Sequence, residues 1–119
     1  MNKRSTGTHY ETVAARFLEL QGMEILERNY RSREGEIDLI AYDPAERTLC
    51  FEEVKYRSGL RFGYPSEAVT PAKCSKIRLV SRHYLMQHPP EDLVFPVRGY
   101  RYDIVEIVGN RIRILKNAF

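Results

Sequence analysis

Residues 35–57 read GEIDLIAYDPAERTLCFEEVKYR, and this stretch decides what kind of sheet the chain builds. Two largely apolar runs, 36–41 and 49–55, flank Asp43, Pro44, Ala45, Glu46 and Arg47, where the Asp-Pro step favours a turn. A hairpin is expected, with charges inside both of its strands. Asp38 stands between Ile37 and Leu39, a place from which Asp is normally depleted. Along the second strand, alternation puts Phe51, Glu53 and Lys55 on one face and Glu52 on the other. Carboxylates that converge where water is scarce repel each other and call for a cation. Hard oxygen ligands suit Mg2+ or Mn2+, which bind through one or two carboxylates and substrate phosphate. Such an ion polarises a phosphate and lowers the pKa of a water. Lys55 would position that water or steady the charge that develops on phosphorus. The residues therefore describe a metal-dependent nuclease site, with Asp38 and Glu53 as ligands and Lys55 as the catalytic cation. Glu36 shares Asp38's face by alternation and is a weaker candidate ligand. Glu52 would be costly in a buried face, so it is expected at a sheet margin or beside a basic partner.

Asp38 followed by Glu53-x-Lys55 resembles the PD-(D/E)XK nuclease superfamily. More closely, GEIDLIAYD, FEEVKYRS, FGYPSEAVTPAK, RYDIV and ILKNAF, in that order, resemble the YraN family of endonuclease-like proteins, itself similar to archaeal Holliday-junction resolvases. The resemblance implies an α/β fold: a single restriction-endonuclease-like domain over residues 1–119, its mixed central sheet flanked by two helices. It also brings Glu11, on the first helix, into the catalytic and metal set with Asp38 and Glu53. The family usually carries Gly just before that Glu, where this chain has Tyr10. In the family Glu52 is usually apolar, and Lys73 matches a lysine placed to meet a phosphate. Branched DNA as substrate follows only from kinship with junction resolvases, and a homodimer would follow from a two-fold symmetric junction.

Outward from the hairpin, residues 1–7 read as a polar tail, and a helix is expected from Thr8 to Gly22. Thr8 and Glu11 have capping-box spacing, which gives Glu11 a purely structural alternative. Residues 23–30 form a first strand, trailed by Arg28, Arg31 and Arg33, either a solvated strand end or phosphate contacts. Thr70 and Pro71 start a second helix with a buried stripe of Ile77, Val80, Tyr84 and Leu85, ended by His88, Pro89 and Pro90. His83 and His88 have no partner spacing and read as surface or helix-end residues. Residues 93–97 contain a proline and make an edge strand or none. Residues 100–108 form a strand, and Gly109 with Asn110 turns it into 111–115. Asp103 in RYDIV is expected to pair with Arg101 or a neighbouring basic residue as a structural support, with direct metal ligation the weaker alternative. Cys50 and Cys74 lack metal-ligand or disulfide spacing and read as small core residues.

The 119 residues suffice for one domain with a core. No apolar run approaches the roughly 20 residues that span a bilayer, and no signal peptide pattern precedes the first helix. A cytoplasmic protein without membrane attachment is expected. Net charge is only +3, yet residues 54–83 hold Lys55, Arg57, Arg61, Lys73, Lys76, Arg78 and Arg82 against Glu67 alone. Such a patch supplies salt-sensitive affinity for nucleic acid, with Arg57, Arg61, Lys73 and Lys76 as the candidate DNA contacts. The loop RSGLRFGY at 57–64 could stack Phe62 or Tyr64 on an unpaired base, or pack them inward. Three functions compete: a divalent-metal-dependent endodeoxyribonuclease, an inactive nuclease-fold module that binds nucleic acid, and a structural protein whose acidic cluster is an ion-pair network.

Overall fold

The computed structural model describes residues 3–57 and 69–119, with side chains from Thr8 onward. Helix α1 spans Lys3–Leu20, and strands β1 to β3 follow at Glu24–Ser32, Gly35–Asp43 and Thr48–Arg57. Helix α2 spans Pro71–Gln87, a single 3-10 turn covers Pro90–Asp92, and β4 and β5 occupy Gly99–Val108 and Arg111–Leu115. The strands make one sheet in sequence order. Pairing is antiparallel for β1–β2, β2–β3 and β4–β5. The β3–β4 pair is parallel, as a crossover through a helix requires. This is the expected mixed sheet flanked by two helices.

Each helix buries one apolar stripe on one face of the sheet. Ala14, Ala15 and Leu18 of α1 pack on Leu39, Ala41, Cys50, Val105 and Ile107. On the opposite face Ile77, Val80 and Tyr84 of α2 pack on Ile37, Ile40 and Phe51. Gly22, at φ +90°, stops α1 in a conformation that an L side chain resists. The Met23 N–H bonds back to the Leu18 carbonyl at 3.0 Å, and the Met23 side chain enters the α1-side core. At α2 the Thr70 hydroxyl accepts the Lys73 N–H at 3.2 Å, with Pro71 at the first helical position, as the sequence indicates.

Several expectations change. Helix α1 begins at Lys3, not Thr8, so most of the expected 1–7 tail is helical backbone. Thr8 is then an interior residue, its carbonyl accepting the Thr12 hydroxyl at 2.9 Å, and the capping box is not formed. Extending a helix adds a bond for each residue fixed, which outweighs the local cap here. Of the two alternatives for residues 93–97 the structure takes the one without a strand; Phe95 stacks on Tyr42, whose hydroxyl donates to the Pro96 carbonyl at 2.6 Å. His83, expected at the surface or a helix end, is half-buried with its Nδ1 2.8 Å from the Tyr30 hydroxyl, while His88 caps the end of α2 as expected and stacks on Tyr84. Cys50 is buried as expected, while Cys74 is only half-buried. Arg61, Phe62 and Tyr64 lie outside the described residues.

Candidate functional site

Strands β2 and β3 pair from Asp43↔Thr48 to Leu39↔Glu52 and then part. Past that point β2 continues against β1, while β3 continues against β4 through Arg57↔Val108. The result is a fork with Asp38 on one arm and Glu53 on the other. Alternation also slips on the β2 arm. Ile37 and Ile40 both join the α2-side core, whereas Leu39 joins the α1-side core. The slip falls at Asp38, opposite Asn29, which has a φ of +53°. Asp38 Oδ2 spans the fork and accepts the Val54 N–H at 2.8 Å.

Glu11 comes down from α1 onto the β2 arm. Carboxylate oxygens of Glu11, Glu36 and Asp38 lie within 4.8 Å of one another, all three half-buried. Glu36 also accepts a hydrogen bond from Arg31 Nε at 3.2 Å. Glu36, by alternation alone the weaker candidate ligand, stands in space within the three-carboxylate group. On the β3 arm the nearly enclosed Glu53 faces two ammoniums: its Oε1 is 2.7 Å from Lys73 Nζ and 3.5 Å from Lys55 Nζ. Burial, the Glu53 charge and the Glu11 charge push Asp38 up to about 8, against the pull of the Val54 N–H and Lys73. Burial and the adjacent Lys73 hold Lys55 below the usual lysine range, although Glu53 and Asp38 oppose this. Burial works against the charge on Lys73 too, but its contacts with Glu53 and Lys55 and the Asp38 charge together outweigh that and raise it. These hard oxygens, buried and mutually repelling, suit a divalent cation of the Mg2+ type.

The other basic candidates are dispersed. Arg28 donates to Thr12 of α1 at 2.8 Å, so one strand-end arginine ties β1 to the helix. Lys76 is exposed on α2, and Arg57 is half-buried at the end of β3.

The reverse face of β3 carries a second polar group, and here one expectation fails. Glu52 is fully buried, at neither a margin nor beside a bonded base, and its two carboxyl oxygens have no hydrogen-bond partner among the described residues. Its neighbours are Cys50 and Asp103. Burial and Asp103 together raise its pKa well above the usual carboxylate range. Asp103 takes its expected partner, with Arg101 Nε donating to both oxygens at 2.9 and 3.1 Å. Arg101 also reaches Asp43 and Glu46 across the sheet, contacts no local pattern in the sequence announced.

Fold and fork together define the class: a mixed α/β domain whose splayed central strands gather carboxylates and lysines at one sheet end. The family model described as "Uncharacterised protein family UPF0102" matches residues 10–107, and the chain belongs to that family. A UPF0102 protein of Caldicellulosiruptor saccharolyticus is 39% identical over 125 residues, covering all of both chains. One from Lachnoclostridium phytofermentans is 42% identical over 120 residues, covering 100% of this chain and 96% of the relative. Another, from Nocardia farcinica, is 44% identical over 107 residues, covering 90% and 79%. The matched region runs from before Glu11 to beyond Asp103, so every carboxylate of the fork lies inside it. Among the described residues, no helix is long and apolar enough to cross a membrane.

Proposed function

We propose that this protein is a divalent-metal-dependent endodeoxyribonuclease of the PD-(D/E)XK type, close to the YraN family. The observation that carries this reading is the fork itself. Glu11, Glu36 and Asp38, from a helix and a strand, converge beside a Glu53 already flanked by two lysines. Asp38, Glu53 and Glu11 would hold Mg2+ or Mn2+, which supplies Lewis acidity toward the scissile phosphate. The chain does the rest. Asp38 is fixed by the Val54 N–H, so its free oxygen is aimed before substrate arrives. Lys55, with its ammonium weakened, is suited to exchange a proton with the attacking water or to hold that water in line. Lys73, more firmly charged and at the open side of Glu53, would take a phosphate oxygen. Branched DNA as substrate, a homodimer that cuts both strands of a junction, and a cytoplasmic location all extend this proposal.

The ion pair at Glu53 favours a second reading, in which the lysines have replaced the metal and the fold only binds nucleic acid. A cleavage assay separates the two. Pooled linear, flapped and four-way DNA is incubated with wild type and with Lys55→Ala in Mg2+ and in Mn2+. Cutting by wild type that the variant loses supports the nuclease. Salt-sensitive binding without cutting in either metal supports the binding module.

A further inference from the structure

The reverse face of β3 has its own chemistry. Pairing across β3 and β4 sets Cys50 beside Arg101 and Glu52 beside Asp103. Sulfur and carboxylate oxygens of Cys50, Glu52 and Asp103 lie within 4.8 Å of one another, and all three residues are fully buried. Neither Glu52 oxygen has a hydrogen-bond partner among the described residues, which is rare for a buried carboxyl and demands a cause. Arg101 makes no hydrogen bond to Glu52: its Nε and Nη1 are engaged with Asp103, Asp43 and Glu46, and its buried Nη2 has no partner among the described residues. Buried Asp43, Glu52 and Asp103 thus face one buried guanidinium among the described residues.

We propose that Cys50, Glu52 and Asp103 form a second cation site, on the α1 face of the sheet, for a borderline divalent ion such as Zn2+. The sulfur decides the metal class, since a thiolate among oxygens favours zinc or cobalt over Mg2+. Zinc bonds of about 2.0–2.3 Å ask the three ligand atoms to close in by roughly an ångström. Asp43, held to the patch by Arg101 Nη1 at 3.4 Å, is a further oxygen donor on the same face. With its ligands enclosed, the ion is taken up as the chain folds, replacing protons on the thiol and the Glu52 carboxyl. Its role is structural. It fastens β3 to β4 one residue before Glu53, and so fixes the arm of the fork that carries Glu53 and Lys55.

Cobalt reports the site directly, because a thiolate ligand gives Co2+ a charge-transfer absorption that carboxylates do not. The full chain is refolded from denaturant with Co2+ as wild type, Asp38→Asn, Cys50→Ser and Glu52→Gln, with circular dichroism checking each fold. The band is expected in wild type and in Asp38→Asn. It is expected to vanish in Cys50→Ser, and affinity should weaken at least about tenfold in Glu52→Gln, a change that keeps the side chain's shape. Absence of the band in wild type, its survival in Cys50→Ser, or unchanged affinity in Glu52→Gln would overturn the proposal and leave Glu52 as a neutral acid bonded to Asp103. Loss of the band in Asp38→Asn would overturn it too, by placing the ion at the fork. Since the fork offers oxygen ligands only, either site can fail without the other.

Discussion

Glu52 and Glu53 are adjacent on one strand, yet they occupy opposite electrostatic situations. Glu53 faces the fork, nearly enclosed but held by two ammoniums from different elements. Glu52 faces α1, fully enclosed and without a donor among the described residues. Similar burial thus gives a stabilised anion on one face and a group that needs a proton or a cation on the other. Position in the sequence does not separate them. What does is the counter-charge delivered by other elements: Lys73 arrives from α2 at Glu53, while the Arg101 of β4 is drawn to Asp103, Asp43 and Glu46. A buried carboxylate is as stable as the partners that the fold brings to it.

The sharpest way to test this contrast is at Lys55. Lys55→Ala should lower DNA cleavage by about 10²–10⁴-fold, the range for losing a positioned acid–base group. Single-turnover assays at saturating metal would measure it, and an intact rate would remove Lys55 from the chemistry. Next is Arg101→Leu, which leaves Asp103 and Asp43 buried without their cation and should cost about 3–5 kcal/mol of stability. Denaturant unfolding would show this, and a loss below about 1 kcal/mol would mean that the reverse face is wet.

The third effect depends on pH. Asp38 is pushed from its ordinary 3.8 up to about 8, so the folded state binds the proton more tightly than the unfolded chain. Metal-free protein should therefore lose stability as pH rises from about 4 to about 8, and level off above. Asp38→Asn should flatten that dependence and be the more stable protein at pH 9. Metal binding should strengthen over the same interval as the competing proton leaves. Thermal melts with chelator present, with and without the substitution, would reveal it, and parallel curves would refute it. The smallest effect is at Thr70→Ala, which removes the α2 cap and should cost about 1 kcal/mol. It also frees the turn that carries Lys73, so DNA binding should become slightly less salt-dependent. Fluorescence anisotropy across a salt series would check this.

Much of the layout was legible. The β2–β3 hairpin followed from two apolar runs and an Asp-Pro turn, and α2 from Thr70 and Pro71, because both signals are local. The Arg101–Asp103 pair was legible for a related reason: residues two apart on a strand share a face. Glu36 was underrated because convergence with Glu11 depends on how α1 crosses the sheet. The expected α1 start failed because the capping signal was strong but lay inside a longer helix. Glu52 was misplaced because nothing in its own strand states how deeply α1 covers that face.

By itself the sequence determined the elements, their order and the residue types available for chemistry, since propensity, capping and alternation act over a few neighbouring residues. Only the tertiary structure decided that β2 and β3 part after Leu39↔Glu52, that alternation slips at Asp38, and that Lys73 meets Glu53 while Glu52 meets no donor among the described residues. Those outcomes depend on packing between elements distant in the chain, where a shift of one residue sends a carboxylate to a cation or leaves it enclosed without one.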